Sequence, residues 1–188
     1  MKPTRYLLCA LLLSSCASTQ RLIPANTPAK VGAGWTVSST QEWMQFGYKG
    51  EEWWSKDGVF LNQIKFIGEV KAGEHVFKAD VARKNRDISP LYRAGMSTRD
   101  VSDLLVDAYK EAGYIDVRVL KLAPARFQGA EGFELALEFT TSKGLVYRAL
   151  LLGSSGAAVL RYAAYQAPFE HFYGRDLAAV EAIFSALR

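Results

Sequence analysis

Cysteine is nearly absent from this chain: two occur in 188 residues, Cys9 and Cys16. Histidine is as scarce, with His75 and His171 far apart in sequence. No Cys-x2-Cys or His-x3-His spacing exists, so the usual ligand sets of a zinc site are missing, and no metal or other cofactor is expected. A membrane-spanning run is missing as well. The apolar stretch Tyr6 to Leu13 has about eight residues, where a spanning helix needs about twenty. Strong charge bias is the next absence. The 23 basic residues include Lys2 and Arg5, and without those two, 21 face 19 acidic ones, a net charge of +2 for the rest of the chain. That balance carries no nucleic-acid footprint.

Catalytic signatures are equally thin, and no catalytic residue is named. Gly153-Ser154-Ser155-Gly156 lacks the residue between serine and the final glycine that a nucleophile elbow has, and it lies between two strands, so turn chemistry accounts for it. The glycines fit no phosphate-loop spacing. Glu134 and Glu138 share one face of a strand. At ~3.3 Å per residue their Cα atoms are ~13 Å apart, and a solvated sheet face explains them better than a glycosidic acid–base pair.

What is present begins at the N-terminus. Lys2 and Arg5 precede the apolar run, and Leu13-Ser14-Ser15-Cys16 follows it, a charged, then apolar, then small-residue order typical of export signals. This segment resembles the bacterial lipobox, in which the cysteine receives diacylglycerol and becomes the new N-terminus; an ordinary secretory cut near Ala10 or Ser15 is the alternative. The resemblance implies a signal peptide over residues 1–15, lipid on Cys16, and a protein held in the bacterial cell envelope. Ala17 after the cysteine, in place of Asp, implies delivery to the outer membrane facing the periplasm. With Cys9 removed and Cys16 acylated, no disulfide remains, and the core alone must hold the fold.

Residues 16–34 are rich in small side chains, contain Pro24 and Pro28 and show little periodicity, which reads as a lipid-attached flexible tether. Residues 35–188 read as a single globular domain. Trp35-Thr-Val-Ser and Trp43-Met-Gln-Phe are short strand candidates. Asp57-Gly58 predicts a hairpin turn between Glu52-Trp53-Trp54 and a strand running from Val59 to Phe66, whose alternating residues give one mostly apolar face. After a long irregular excursion, Ser97 with Asp100 three residues on predicts a capped helix with Val101, Leu104, Leu105 and Ala108 on one face and Gly113 as its stop. Four strands follow, near 115–122, 132–140, 145–153 and 157–166, then a terminal helix over 176–187. This order predicts an α+β fold: an antiparallel twisted β-sheet covered by helices.

The same order resembles the PsbP/Mog-like domains. The residues that carry the likeness are Gly34-Trp35, Trp53 with Phe60-Leu61, Phe127-Gln128-Gly129 with Phe133, and Tyr162 to Pro168 ahead of the last helix. The resemblance implies an α/β/α sandwich over 35–188 and a domain used for binding, and it assigns no site residue.

Two local features bear on function. All four tryptophans lie within twenty residues of one another; adjacent Trp53 and Trp54 point to opposite faces of a strand. Trp43, Trp53 and Trp54 therefore form a candidate partner or ligand surface, with core packing as the plainer account. The basic run Arg83, Lys84 and Arg86 is either solvated or in contact with anionic lipid. The sequence supports a membrane-anchored, non-catalytic binding or assembly module. It meets the membrane through its lipid and an envelope protein as partner, with a small-molecule ligand left open. An envelope hydrolase using carboxylates brought together by the fold is the alternative.

Overall fold

The computed structural model describes residues 20–32, 34–48, 51–77, 90–156 and 158–188. In chain order these form β1 (Gln20–Ile23), β2 (Ala29–Val31), β3 (Trp35–Val37), β4 (Trp43–Tyr48), β5 (Glu51–Ser55), β6 (Gln63–Lys71), α1 (Thr98–Glu111), β7 (Ile115–Phe127), β8 (Ala130–Thr140), β9 (Val146–Ser155), β10 (Val159–Pro168) and α2 (Gly174–Ser185), with a wide π-turn at Phe169–Tyr173. Eight strands make one antiparallel sheet in the order β1-β4-β5-β6-β10-β9-β8-β7, and β2 pairs with β3 as a separate hairpin. Two four-stranded meanders thus meet at the β6–β10 seam.

Register decides what each face carries. One row of cross-strand neighbours runs through all eight strands: Gln20, Phe46, Trp53, Lys65, Ala164, Leu151, Leu135 and Leu122. The next row, on the opposite face, is Arg21, Gln45, Trp54, Ile64, Tyr165, Leu150, Ala136 and Lys121. The second row is apolar in its centre and polar at both ends. α2 and the β2–β3 hairpin close that centre into a core holding Trp54, Ile64, Tyr165, Val180 and Phe184. There Trp35 of the hairpin meets Phe127 edge-to-face at 5.0 Å. The other face has its own core, in which α1, the Val76–Phe77 segment and Tyr92 cover Leu135, Leu137, Leu151 and Tyr162.

A helix-covered α+β sandwich, and with it the PsbP/Mog-like architecture, is not what forms: the described residues are predominantly antiparallel sheet, with two α-helices among them. The physical reason is width. Eight strands at ~4.8 Å spacing span ~35–40 Å, while one helix is ~10 Å across, so a single helix per face leaves much of the sheet to loops, to the β2–β3 hairpin or to solvent. The 13 residues of β7 are mostly exposed.

The tether expected over 16–34 is also shorter than the sequence suggests, since β1 begins at Gln20 and Ile23, Ala29 and Val31 are buried. Pro24 and Pro28 flank an ordered turn in which Asn26 has φ 56° and its N–H donates to the Ser39 carbonyl at 2.6 Å. Strands of three or four residues are too short for periodicity to reveal. Locally coded features do form. Ser97 and Asp100 make a reciprocal capping box on α1, and β8 alternates Phe133, Leu135, Leu137 and Phe139 into the core.

Candidate functional site

The strand expected from Val59 starts only at Gln63, and residues 56–62 form a loop in its place. Asn62 is the cause. Its Oδ1 accepts from the Ser55 hydroxyl at 2.8 Å and from the backbone N–H groups of Lys56 and Asp57 at 3.1 and 3.2 Å, the kind of side-chain capture of backbone that competes with a ladder. Gly58 completes the loop at φ 110°, a conformation that suits glycine.

The other side of Asn62 reaches α2. Its Nδ2 donates to Asp57 Oδ2 at 2.8 Å and to Asp176 Oδ2 at 2.7 Å. Asp176, in the first turn of α2, is fully buried and also receives Lys56 Nζ at 3.0 Å and Arg175 at 3.0 and 2.6 Å. Arg175 pairs with Asp57 as well. Burial alone would push the Asp176 carboxyl up; the hydrogen bonds from Arg175, Asn62 and Lys56 outweigh it and hold the group below the usual carboxylate range. The loop is therefore bolted to α2 at one end. At its tip the buried Tyr147 hydroxyl donates to the Phe60 carbonyl at 2.6 Å.

This fixed loop carries Phe60 at 85 % exposure, beside an exposed Leu61. Strands β5, β8 and β10 end, and β6, β7 and β9 begin, on this side of the sheet, and three more exposed apolar residues stand there: Ile115, Leu145 and Phe169. Phe169 follows Pro168, the register partner of Tyr147, and the Arg148 guanidinium lies 3.6 Å from its ring centroid. Arg148 is itself held by Glu138 at 2.9 Å. An apolar rim thus lines one end of the strands on a rigid base.

The residues singled out in sequence fall elsewhere. Trp43 and Trp54 are core side chains, 1 % and 0 % exposed, with their indole N–H groups donating to Ser39 and Glu52, so neither offers a contact surface. Trp53 lies on the opposite face, half-buried, with Lys65 Nζ 4.4 Å from its ring centroid. Cys16, Arg83, Lys84 and Arg86 lie outside the described residues. Gly153 and Ser154 belong to β9, not to a turn. A Cβ on Gly153 would sit 2.5 Å from the Arg161 carbonyl oxygen, so close packing explains that glycine.

The carboxylates are committed to cations. Glu138 is bridged by Arg118 and Arg148, and Glu134 by Lys121 at 2.7 Å and by Arg188. Hydrogen bonds from Arg118 and Arg148 hold Glu138 below its usual range, and the one from Lys121 does the same for Glu134. Asp57 and Asp176, which the fold does bring together, share Arg175 and Asn62. A general acid needs a carboxyl held up toward the working pH, and Asp176, Glu134 and Glu138 are shifted the other way. Glu52 is raised, by burial, but it accepts from the core residue Trp54 and from Gln45. Among the described residues, no group of three or more His, Cys, Asp and Glu side chains is placed to hold a metal ion.

No protein-family model, curated protein or solved structure matches this chain. The site is therefore argued from its own geometry. Sequence reasoning missed the rim because Phe60 reads as one position of an alternating strand. The available signal was Asn62, a strong turn former placed within that alternation.

Proposed function

We propose that this protein is a lipid-anchored envelope module that binds a protein partner through the apolar rim, without catalysis of its own. Phe60 is the observation that carries the reading. A phenylalanine 85 % exposed is held by a loop whose backbone and side-chain polar groups are tied to Asn62, Asp176 and Tyr147. Little flexibility is left to lose on binding, and pre-organised aromatic anchors dominate interface energetics. Because Phe60 protrudes, the partner must offer a concave apolar pocket.

The anchor side rests on the sequence. Lys2 and Arg5, the short apolar run and Leu13-Ser14-Ser15-Cys16 support export and acylation of Cys16, with the outer membrane as destination. Two or more acyl chains hold a protein at a bilayer far more firmly than one does. A crosslinked pulldown from native envelopes tests the binding reading. Phe60→Ser should abolish recovery of whatever the wild type captures while leaving the melting temperature unchanged. Equal recovery by both proteins would remove the rim from the account.

A further inference from the structure

The α2 side of the sheet carries charge where the helix stops. Among the described residues, the core beneath α2 takes no side chain from β8, and from β7 only Phe127 with Ala125 against it. Beyond that core the face is polar. Register puts Arg118, Glu138 and Arg148 in one row across β7, β8 and β9, one step in from Ile115, Thr140 and Val146 at the rim end. Lys121 and the half-buried Ala136 stand in the next row. Successive rows lie ~7 Å apart.

Four cations meet two carboxylates here, and depth separates the signs. The side chains of Arg118, Lys121, Arg148 and Arg188 are 32 to 69 % exposed, those of Glu138 and Glu134 only 11 and 16 %. Solvent therefore meets guanidinium and ammonium, each held in place from below by a carboxylate. Arg118 gives Nη2 and Arg148 gives Nε to Glu138, and the other guanidinium N–H groups of both have no acceptor among the described residues. Exposed pairs of this kind contribute little to stability. Fixed side by side, they make a pre-organised cationic surface.

This surface is continuous with the rim. The Arg148 guanidinium lies 3.6 Å from the Phe169 ring centroid, and a recess of about 470 Å³, walled by Arg118, Glu138, Thr140 and Val146 with Asp116 and Val117, opens at the first ion pair. Asp116 and Lys143 of the β8–β9 turn, both exposed, offset each other in charge at that end. A protein seated on Phe60 and Phe169 reaches Arg148 and Arg118 as well. If it brought no acceptors, it would desolvate these cations at a cost that carboxylates remove. We infer that the partner which takes Phe60 into its pocket lays an acidic segment, rich in aspartate and glutamate, across Arg118, Lys121 and Arg148. The inference rests on the rim as the partner-binding surface and names the chemistry beside the pocket. Guanidinium groups donate paired hydrogen bonds to a carboxylate, so the two arginines set where its acids must fall.

A photo-crosslinking amino acid at position 121, with Arg118 and Arg148 retained, tests the segment, and the same amino acid at 60 tests the rim. Irradiation of intact cells should join both positions to one protein. Mass spectrometry should map the adduct at 121 to a peptide with more Asp and Glu than Lys and Arg. Arg118→Gln combined with Lys121→Gln should then weaken the adduct at 60 about fivefold, while Arg99→Gln on α1, also exposed, leaves it unchanged. Both carboxylates keep a cation in the double variant, Arg148 on Glu138 and Arg188 on Glu134, and a melting curve checks its fold. No adduct at 121, a peptide there without acidic excess, or an unchanged adduct at 60 in the double variant would overturn the acidic segment and leave the rim standing. No adduct at 60 without those substitutions would remove the rim and the segment together.

Discussion

Asn62 and Asp176 are 114 residues apart in sequence and 2.7 Å apart in space, with both side chains fully buried. Their hydrogen bond joins the β5–β6 loop to the first turn of α2. Removing Asn62 would take the acceptor from the Lys56 and Asp57 backbone N–H groups and from the Ser55 hydroxyl, and would leave Asp176 Oδ2 with Arg175 as its remaining donor. Asn62→Ala should therefore destabilise the fold by about 2–4 kcal/mol, read as a lowered urea midpoint with an unchanged slope. A loss under 1 kcal/mol would mean that the loop does not depend on this network.

Acid should unfold the protein through the same group. Asp176, Glu134 and Glu138 have folded-state pKa values below their ordinary 3.8 and 4.5. A depressed carboxylate stabilises the fold above its unfolded pKa, and that contribution is lost as pH falls through the folded value. The melting temperature should hold from neutrality to about pH 4.5 and then drop. Glu52 opposes this weakly, because burial raises its pKa and protonation relieves that cost. Asp176→Asn should lower stability at pH 7 and flatten the acid slope, as melting curves at several pH values would show.

The tryptophans should separate cleanly by face. Trp54 is fully buried against Phe66, ring centroids 5.2 Å apart, so Trp54→Ala should cost about 3–5 kcal/mol. Trp53 is half-buried on the other face, and Trp53→Ala should cost about 1–2 kcal/mol from lost apolar contact. Chemical denaturation of the two variants measures the difference, and equal losses would contradict the two-faced reading of β5.

How much of this was legible in the sequence depended on range. The Ser97–Asp100 cap and the alternation of β8 are local and could be read directly. β1 and β2 are too short to show a period, so an ordered edge was read as tether. Phe60 fits an alternating strand by pattern, and what breaks that strand is Asn62, whose side chain binds the backbone of residues 56–57. The helical cover expected over the sheet failed for a long-range reason. Sheet width follows from the β6–β10 pairing, and no local pattern encodes which two meanders will meet. Tryptophan clustering misled in a different way, because Trp43 and Trp54 cluster to fill a core.

Acylation at Cys16 has its own readout. Cys16→Ser should leave the protein unprocessed or free of the membrane, as fractionation and the mass of the N-terminal peptide would show. Normal cleavage with continued membrane partitioning of the variant would mean that lipid on this residue is not the anchor.

The rim is tested most directly by a photo-crosslinking amino acid placed at position 60 and, in parallel, at the exposed Ala182 of α2. Irradiation of intact cells should give a discrete crosslinked protein at 60 and none at 182, and the adduct should weaken when Leu61 or Phe169 is changed to serine. The substitutions at 60 and 182 are at exposed sites and cost within about 0.5 kcal/mol, while Leu61→Ser and Phe169→Ser remove partly covered apolar surface worth about 1 kcal/mol, so a melting curve of each variant accompanies the crosslinking. No adduct at 60, or the same adduct at both positions, would contradict a partner-binding role for this surface.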